Sequence, residues 1–253
     1  MSAASPDLSI IIPAFNEERR LPRALAQIRH WVDTRQLNVE LIVVDDASTD
    51  QTAAVVYQHR DQFPLLYLLT TGIANHGKGF AVRTGMRAAH GRLALFTDAD
   101  LSAPIDEADK LLAALERCDV AIGSRAMDRS LIETHQSRTR ELAGMAFNKA
   151  VQLLASLPFV DTQCGFKAFV TERTRIIFEQ QRIGGFGFDP EILFLAQRHG
   201  LRIREVPVRW SHDRDTKVRV LSDGARMLAD LARIRWNALR GRYPKADVAV
   251  SLR

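Results

Sequence analysis

Short apolar runs alternate with stretches of helical periodicity over the first half of this 253-residue chain. The runs are residues 8–12, 39–44, 65–69, 93–97 and 120–122. Between the first two, Leu21, Leu25, Ile28 and Val32 recur at helical spacing. Strands buried inside a parallel sheet read as continuous apolar runs, and helices form the connections between them. The pattern therefore predicts an α/β fold, with a mostly parallel sheet flanked by helices on both faces.

The positive charge of the chain is concentrated at its C-terminal end. Residues 213–253 contain ten Lys or Arg and five Asp, which accounts for the whole formal net charge of +5 and leaves residues 1–212 neutral. We therefore expect one domain over 1–212, followed by a basic amphipathic segment over 213–253. A basic segment on a neutral body favours an anionic partner, either a membrane surface or nucleic acid.

Several classes of protein are disfavoured by what the sequence lacks. Two cysteines, Cys118 and Cys164, form no disulfide framework, which predicts a reducing compartment. The first residues lack the pattern of a signal peptide, and no apolar run reaches the roughly 18 residues of a membrane span. The glycine patterns of P-loop ATPases and of dinucleotide oxidoreductases are also missing, which argues against both classes.

Polar clusters follow four of the predicted strands. They are Asn16-Glu17, Asp45-Asp46, Asp98-Ala99-Asp100 and Ser124-Arg125. Ligands of open α/β sheets bind beyond the carboxyl ends of the strands, so these clusters predict one binding site. Two carboxylates at a strand end are hard ligands suited to Mg²⁺ or Mn²⁺ beside the phosphates of a substrate.

Two further segments have more than one interpretation. Asp45 and Asp46 are suited to accept hydrogen bonds from a base N–H or from ribose hydroxyls, but residues 46–50 also form a good helix-capping turn. Asn75-His76-Gly77-Lys78-Gly79 combines glycines with one cation, which suits a loop passing near a phosphate.

These segments resemble the family 2 inverting glycosyltransferases of GT-A fold. The resemblance rests first on residues 9–18, 43–50, 75–79 and 97–100. Residues 123–125, 161–167 and 187–193 are similar to the polyprenyl-phosphate sugar transferases, and most similar to the dolichyl-phosphate β-glucosyltransferase branch. The resemblance covers roughly residues 8 to 230. It implies inverting transfer of a hexose, with glucose from UDP-glucose favoured, to a polyprenyl phosphate.

The resemblance also implies roles for individual residues. Asp98 and Asp100 would hold Mg²⁺ or Mn²⁺ on the diphosphate, with Asp100 counted among the catalytic residues. Arg125 would face the acceptor phosphate, because a guanidinium binds phosphate through two parallel hydrogen bonds. The remaining donor-site residues implied are Pro13, Ala14, Phe15, Glu17, Val44, Asp46, Lys78 and Ala99. The additional cations implied at the acceptor phosphate are Arg138, Arg140, Arg214 and Lys217.

Asp189 has three interpretations that the sequence leaves open. It would be a general base, a residue that orders the site or binds the sugar, or the cap of the helix that follows. A phosphate acceptor is already anionic near pH 7, since its second pKa is about 6, so a base is less necessary. We therefore expect Asp189 to matter less for turnover than Asp100.

Two other functions compete with glucosyl transfer. One is mannosyl transfer from GDP-mannose to the same class of acceptor, which the motif over 161–167 disfavours. The other is a nucleic-acid-binding module that uses the basic tail. Against it, the arginines lack interleaved aromatic residues and no recognition motif is present, so we expect no nucleic-acid partner.

Two amphipathic segments are candidates for contact with a membrane. Residues 138–157 have a wide apolar face, and residues 220–239 have an apolar arc covering roughly half of a helix. Beside that arc, Arg219, Arg226, Arg233 and Arg240 repeat every seven residues. A basic amphipathic helix suits an anionic bilayer, although Asp223 and Asp230 also allow a solvated, ion-paired face. We expect a cytoplasmic protein that is peripheral on the inner face of the membrane.

Overall fold

A computed structural model describes residues 5–134, 138–212 and 220–244. In this part of the chain, seven strands form one sheet in the order β3-β2-β1-β4-β7-β5-β8. These strands are β1 (Leu8–Ala14), β2 (Val39–Asp45), β3 (Leu66–Thr70), β4 (Leu93–Thr97), β5 (Val120–Ser124), β7 (Phe166–Val170) and β8 (Ile203–Pro207). The short strands β6 (Ile132–Thr134) and β9 (Trp210–Ser211) pair separately. The five predicted strands are present, and the predicted α/β class is confirmed.

Strand β7 is the exception to the parallel arrangement. It runs antiparallel to both β4 and β5, between which it lies. Its first residue, Phe166, therefore pairs with Thr97, the last residue of β4. The loop before β7 thus arrives at the same edge of the sheet where β4 ends.

Helices cover both faces of the sheet, as the alternating pattern predicts. They are α1 (Leu21–Arg35), α2 (Thr52–Gln58), α3 (Lys78–Ala88), α4 (Ala108–Ala114), α5 (Arg138–Ala155), α6 (Thr171–Gln180), α7 (Phe188–Arg198) and α8 (Val220–Leu239). Successive side chains of β1 point to opposite faces, so Ile10 and Ile12 join the core beneath α1 and α4, whereas Ile11 joins the core beneath α3 and α7.

The helix that follows β4 is short and begins with a tighter turn. A 3₁₀ turn over Ile105–Glu107 precedes α4, which ends at Ala114. Glu107 in that turn is buried, where its carboxylate pairs with Lys110 and Arg209. These contacts hold the tighter turn in place of a regular first turn of α-helix.

Helix α8 packs on the body of the protein through α5 and α7. Met227, Leu231 and Ile234 on one side of the helix are buried in the core. Just beyond the helix, the side chain of Tyr243 is fully buried as well. No helix in the described part of the chain is long and apolar enough to cross a membrane.

Candidate active site

The loops that follow β1, β2 and β4 lie along one edge of the sheet and share an unusual backbone feature. Each contains a non-glycine residue with positive φ: Asn16 (54°), Ala47 (63°) and Leu101 (47°). Residues other than glycine seldom adopt this conformation, which costs free energy and persists where surrounding contacts hold it. The loops at this edge are therefore held in defined shapes.

Reciprocal hydrogen bonds join the first two loops. The backbone N–H of Asn16 donates to Ser48 Oγ (2.8 Å), and the N–H of Thr49 donates to Asn16 Oδ1 (2.8 Å). The N–H of Glu17 donates to Thr52 Oγ1 (2.8 Å). Residues 46–50 form a turn in which Asp50 Oδ1 accepts the N–H of Thr52 (2.9 Å), but the helix-capping interpretation is wrong, because the N-cap of α2 is Gln51 and no side-chain hydrogen bond caps it.

The carboxylate of Asp46 is directed into the protein. It is 2 % exposed, and it accepts hydrogen bonds from Thr71 Oγ1 (2.6 Å), the N–H of His76 (2.9 Å) and the N–H of Gly77 (2.7 Å). These donors engage both oxygens, so the carboxylate fixes the loop before α3. A contact of Asp46 with a base or ribose stays a prediction.

The other residues expected at the nucleoside divide into two groups. The side chains of Ala14, Val44 and Ala99 are buried within the apolar cores, so any contact with a nucleoside would fall to their backbone, and their place at the donor stays a prediction. Phe15 is exposed, and Pro13 and Glu17 are half-buried at the same edge. A ligand at this edge would meet the second group.

Asp98, Asp100 and Lys78 form the charged centre of the edge. Nζ of Lys78, the first residue of α3, lies 2.5 Å from Asp98 Oδ1. Asp98 remains 35 % exposed, and Asp100 Oδ1 accepts the N–H of Ser102 (2.9 Å). Burial, and then the charge of Asp98, raise the pKa of Asp100 above its usual value. Burial alone lowers the pKa of Lys78, but Asp98 and Asp189 raise it overall.

This carboxylate pair fits a hard divalent cation. Burial first, and then the charge of Asp98, raise the pKa of Asp100, and a bound cation would offset both effects. Within the described ranges, no group of three or more His, Cys, Asp or Glu is arranged to hold an ion. Two carboxylates completed by substrate phosphates are a common arrangement for Mg²⁺.

The loop before β7 contacts Asp98 closely. A Cβ atom added to Gly165 would lie 2.1 Å from Asp98 Oδ2, so a larger residue there would displace the carboxylate of Asp98. A recess opens beside this contact, lined by Thr97, Asp98, Ser102, Ala103, Cys164, Gly165, Phe166 and Trp210. No individual role for Gly165 or Trp210 follows from the sequence, because their approach to Asp98 depends on the antiparallel pairing of β7 and on the path of the chain after β8.

Arg125 lies beside the same recess in an ion pair with buried Asp161. Its Nε is 2.7 Å from Asp161 Oδ2, and its Nη2 is 2.8 Å from Oδ1. Although burial opposes the change, Arg125 lowers the pKa of Asp161. The guanidinium also lies 5.3 Å from the ring centroid of Trp210. Nη1 takes no part in the pair with Asp161, and the side chain is 28 % exposed, so contact with an acceptor phosphate stays a prediction.

Asp189 lies deeper than the sequence interpretation of a base requires. Its carboxylate is buried and pairs with Nζ of Lys167, which is fully buried and also donates to the carbonyl oxygen of Cys164 (2.7 Å). Burial raises the pKa of Asp189, and the ammonium groups of Lys167 and Lys78 oppose that rise. The helix-cap interpretation is wrong, because the N-cap of α7 is Gly187 and no side chain caps it.

The remaining predicted phosphate contacts lie outside this geometry. Arg138 and Arg140 occupy the first turn of α5, but their side chains fall outside the described part of the structure. Arg214 and Lys217 lie outside the described residues. Asp161 and Lys167 are two charged residues of the site to which the sequence gave no individual role. Each lies beside apolar residues in the sequence, which is the local pattern that could have indicated a buried charge.

Comparison with known proteins identifies a family and a set of curated relatives. The family described as "Glycosyl transferase family 2" matches residues 9–173. Dolichyl-phosphate beta-glucosyltransferase of Drosophila melanogaster is 36% identical over 96% of this chain and 79% of that protein. The proteins of the same name in Trichomonas vaginalis and Homo sapiens are 33% and 31% identical, over 91% and 93% of this chain and 73% and 77% of their own lengths.

Solved structures share the fold. Glucosyl-3-phosphoglycerate synthase from Mycobacterium tuberculosis, in complex with Mn²⁺, UDP and glucosyl-3-phosphoglycerate, superposes with a TM-score of 0.63 at 20% identity, covering 96% of this chain and 82% of that one. S. aureus TarS 1-349 in complex with UDP-GlcNAc gives a TM-score of 0.60 at 17% identity, covering 91% and 67%. These likenesses confirm the predicted GT-A fold.

Proposed function

The chain belongs to glycosyl transferase family 2, and we propose that it transfers glucose from UDP-glucose, with inversion, to a polyprenyl phosphate. The observation that carries the proposal is the pair Asp98 and Asp100 with Lys78 beside it, at the strand-end edge of the sheet. The three curated relatives cited above, each named a dolichyl-phosphate beta-glucosyltransferase, support the choice of sugar and acceptor.

The donor half of the site suits a sugar nucleotide. Asp98 and Asp100 would hold Mg²⁺ or Mn²⁺, which neutralises charge developing on the diphosphate leaving group. Lys78 supplies a second positive charge at the start of α3, where the backbone N–H groups also favour an anion. Asp46 holds the loop before α3 in place through the N–H groups of His76 and Gly77. The chain's own residues thus orient the diphosphate before the sugar leaves.

The acceptor half suits an anion that needs no deprotonation. Arg125 is oriented by Asp161 and stacked on Trp210, with part of its guanidinium exposed beside the recess. A phosphate monoester is ionised near pH 7 and attacks without a general base. The burial of Asp189 in a pair with Lys167 supports this mechanism, because that carboxylate is engaged elsewhere.

A polyprenyl phosphate is an amphiphile, so its transferase has to work where the lipid is. We propose that the enzyme acts at the surface of a membrane, on the cytoplasmic face. Cys118 and Cys164 are both free thiols buried in the protein, as suits a reducing compartment.

A binding and transfer experiment tests the function. UDP-glucose with Mn²⁺ should raise the thermal unfolding temperature, because a ligand at 100 times its Kd adds about 2.7 kcal/mol to the free energy of unfolding. Asp100→Asn should lose the part of this stabilisation that depends on Mn²⁺. Labelled glucose should then appear on a short-chain polyprenyl phosphate. Stabilisation and transfer with GDP-mannose but not UDP-glucose would favour the mannosyl alternative.

A further inference from the structure

The apolar arc of α8 is divided between the core and the surface. Met227, Leu231 and Ile234 pack into the core, so the body of the protein covers part of the apolar arc that the sequence shows. Farther around the helix, Trp236 is 52 % exposed and Leu239 is 83 % exposed. With 3.6 residues per turn, Leu228, Trp236 and Leu239 lie on a single exposed side. Helix α8 thus has a second apolar side that the body of the protein leaves uncovered.

The exposed side of α8 continues onto the end of α5. Nε of Arg235 donates to the carbonyl oxygen of Leu154 (2.5 Å), and its Nη2 donates to Ser156 Oγ (2.5 Å). These bonds hold the C-terminal ends of the two helices side by side. Leu153, 78 % exposed, and Leu154 therefore adjoin the exposed side of α8. We call the combined surface the outer apolar strip; its members are Leu153, Leu154, Leu228, Trp236 and Leu239.

Positive charge accompanies the strip. Arg226, Arg233 and Arg240 are exposed and lie roughly a third of a turn around α8 from it. The guanidinium of Arg240 lies 4.4 Å from the ring centroid of Trp236, so the charged stripe meets the apolar strip at that residue. Of the two acidic residues of α8, Asp230 lies against Gly187 on the body, within the electrostatic influence of Arg233, and the side chain of Asp223 falls outside the described part of the structure.

We propose that the outer apolar strip and its arginine stripe form the surface on which the enzyme docks to an anionic lipid bilayer. The proposal rests on the proposed function, since a lipid acceptor has to be collected from a membrane. Leucines supply apolar burial, tryptophan sits well at the headgroup level, and arginines are attracted to anionic lipid. A second copy of the chain suits this surface less well, because pairing two such faces brings two basic stripes together.

Vesicle binding tests the surface directly. Wild-type protein should co-sediment with vesicles of phosphatidylcholine and phosphatidylglycerol, and much less with phosphatidylcholine alone. The change of Arg226, Arg233 and Arg240 to Gln should weaken partitioning about a hundredfold, taking about fivefold for each arginine near the surface. High salt should reproduce that loss. Leu153→Ser with Leu239→Ser should weaken it about tenfold or more for each leucine.

A matched control uses exposed apolar side chains at the far edge of the sheet. Tyr57→Ser with Tyr67→Ser removes two exposed aromatic residues on α2 and β3 and should leave vesicle binding unchanged. Brominated lipid should also quench tryptophan fluorescence, and Trp236→Phe should remove most of that quenching. Two tryptophans remain in that variant: Trp31, which is buried, and Trp210, which is half-buried beside the recess.

Two results would overturn the docking surface. One is vesicle binding that neither the leucine pair nor the arginine triple alters. The other is a dimer, seen by sedimentation velocity, that the leucine pair dissociates while wild-type protein ignores vesicles. Transfer of glucose to a water-soluble, short-chain acceptor tests the proposed function separately from the docking surface. Both sets of variants should retain this transfer. If wild-type protein does not carry it out, glucosyl transfer is refuted, and the vesicle result still stands.

Discussion

Replacing Asp189 with Asn separates a structural role for this residue from a catalytic one. Asp189 and Lys167 are both buried, and their ion pair lies behind Asp98 at the active-site edge. In Asp189→Asn the ammonium of Lys167 retains two contacts. They are the carbonyl oxygen of Cys164, at 2.7 Å, and the ring of Phe96, at 5.3 Å from its centroid. Neither carries a negative charge, so a positive charge stays buried without its counter-ion.

The expected cost follows from that geometry. Removing one partner of a buried ion pair destabilises a protein by about 3–5 kcal/mol, because the other charge is left uncompensated. A domain is stable by only about 5–15 kcal/mol, so Asp189→Asn should lose a large share of its free energy of unfolding. Replacing both residues with apolar ones, Lys167→Met with Asp189→Leu, should recover most of the loss, since no buried charge remains.

Urea unfolding of the wild type, of the single variants Asp189→Asn and Lys167→Met, and of the double variant measures this directly. The midpoint should fall in each single variant at an unchanged m value, and it should rise again in the double variant. Turnover, scaled to the folded fraction, should fall less in Asp189→Asn than in Asp100→Asn. Raising the pH should not restore what is lost.

One result would refute the reasoning. Asp189→Asn with wild-type stability, with turnover as low as in Asp100→Asn and with recovery at higher pH, would make Asp189 an obligatory base. A phosphate acceptor would then be the wrong assignment too, because such an acceptor needs no deprotonation.

Of three further predictions, two concern residues of the site and one concerns the buried tyrosine beyond α8. Arg125→Ala should raise the KM for the lipid phosphate about tenfold or more, since a hydrogen bond to a charged group contributes about 1.5–3 kcal/mol. The affinity for UDP, measured by calorimetry, should stay unchanged. A change confined to the donor KM would contradict the acceptor role. The pKa of Asp161 is lowered in the folded state. The stability that its ion pair contributes is therefore complete above the unfolded-state pKa of about 3.9 and is lost as the pH falls through the folded-state pKa. Urea midpoints measured from pH 5 to 2 should fall less steeply in Asp161→Asn than in wild type. Tyr243→Phe removes the hydroxyl that donates to buried Glu191 (2.5 Å) and should lower the free energy of unfolding by about 1–3 kcal/mol, measured by urea unfolding, with Tyr57→Phe on the surface as the control.

The main strands were predictable because burial in a parallel sheet leaves a local signature. A continuous apolar run needs no knowledge of its partner, and the boundaries observed differ by a residue or two, as Leu66–Thr70 does from the predicted 65–69. Strand β7 leaves no such signature, because Lys167 interrupts its apolar run. That lysine is buried only because Asp189, 22 residues later, lies beside it.

The active-site edge was predictable to the level of residue type. Polar clusters at strand ends indicated where a ligand binds, since the carboxyl ends of parallel strands meet at one edge. The direction of each side chain depends on tertiary contacts that the local sequence does not encode. Asp46 turns inward because the N–H groups of His76 and Gly77, 30 and 31 residues away, come to meet it. Arg125 is held by Asp161, 36 residues later.

The apolar arc of α8 shows a different limit of prediction. Its hydrophobic periodicity indicates that one side of the helix is removed from water, but the pattern is the same whether a core or a bilayer covers that side. The structure assigns Leu231 and Ile234 to the core and leaves Trp236 and Leu239 exposed. The apolar arc is wider than the part of it that packs on the core, so the periodicity alone does not show that it contains two separate surfaces.

The antiparallel strand β7 joins the two halves of the site. Its approach brings Gly165 against Asp98 on the donor side, and the same loop carries Asp161, which orients Arg125 on the acceptor side. Just past the loop, Lys167 ties the carbonyl of Cys164 to Asp189 at the start of α7. The single segment from Asp161 to Lys167 therefore sets how far the carboxylates proposed for the donor lie from the guanidinium proposed for the acceptor. Transfer requires those two substrates to be held in contact in a reactive geometry, and this segment is short and buried enough to hold them so.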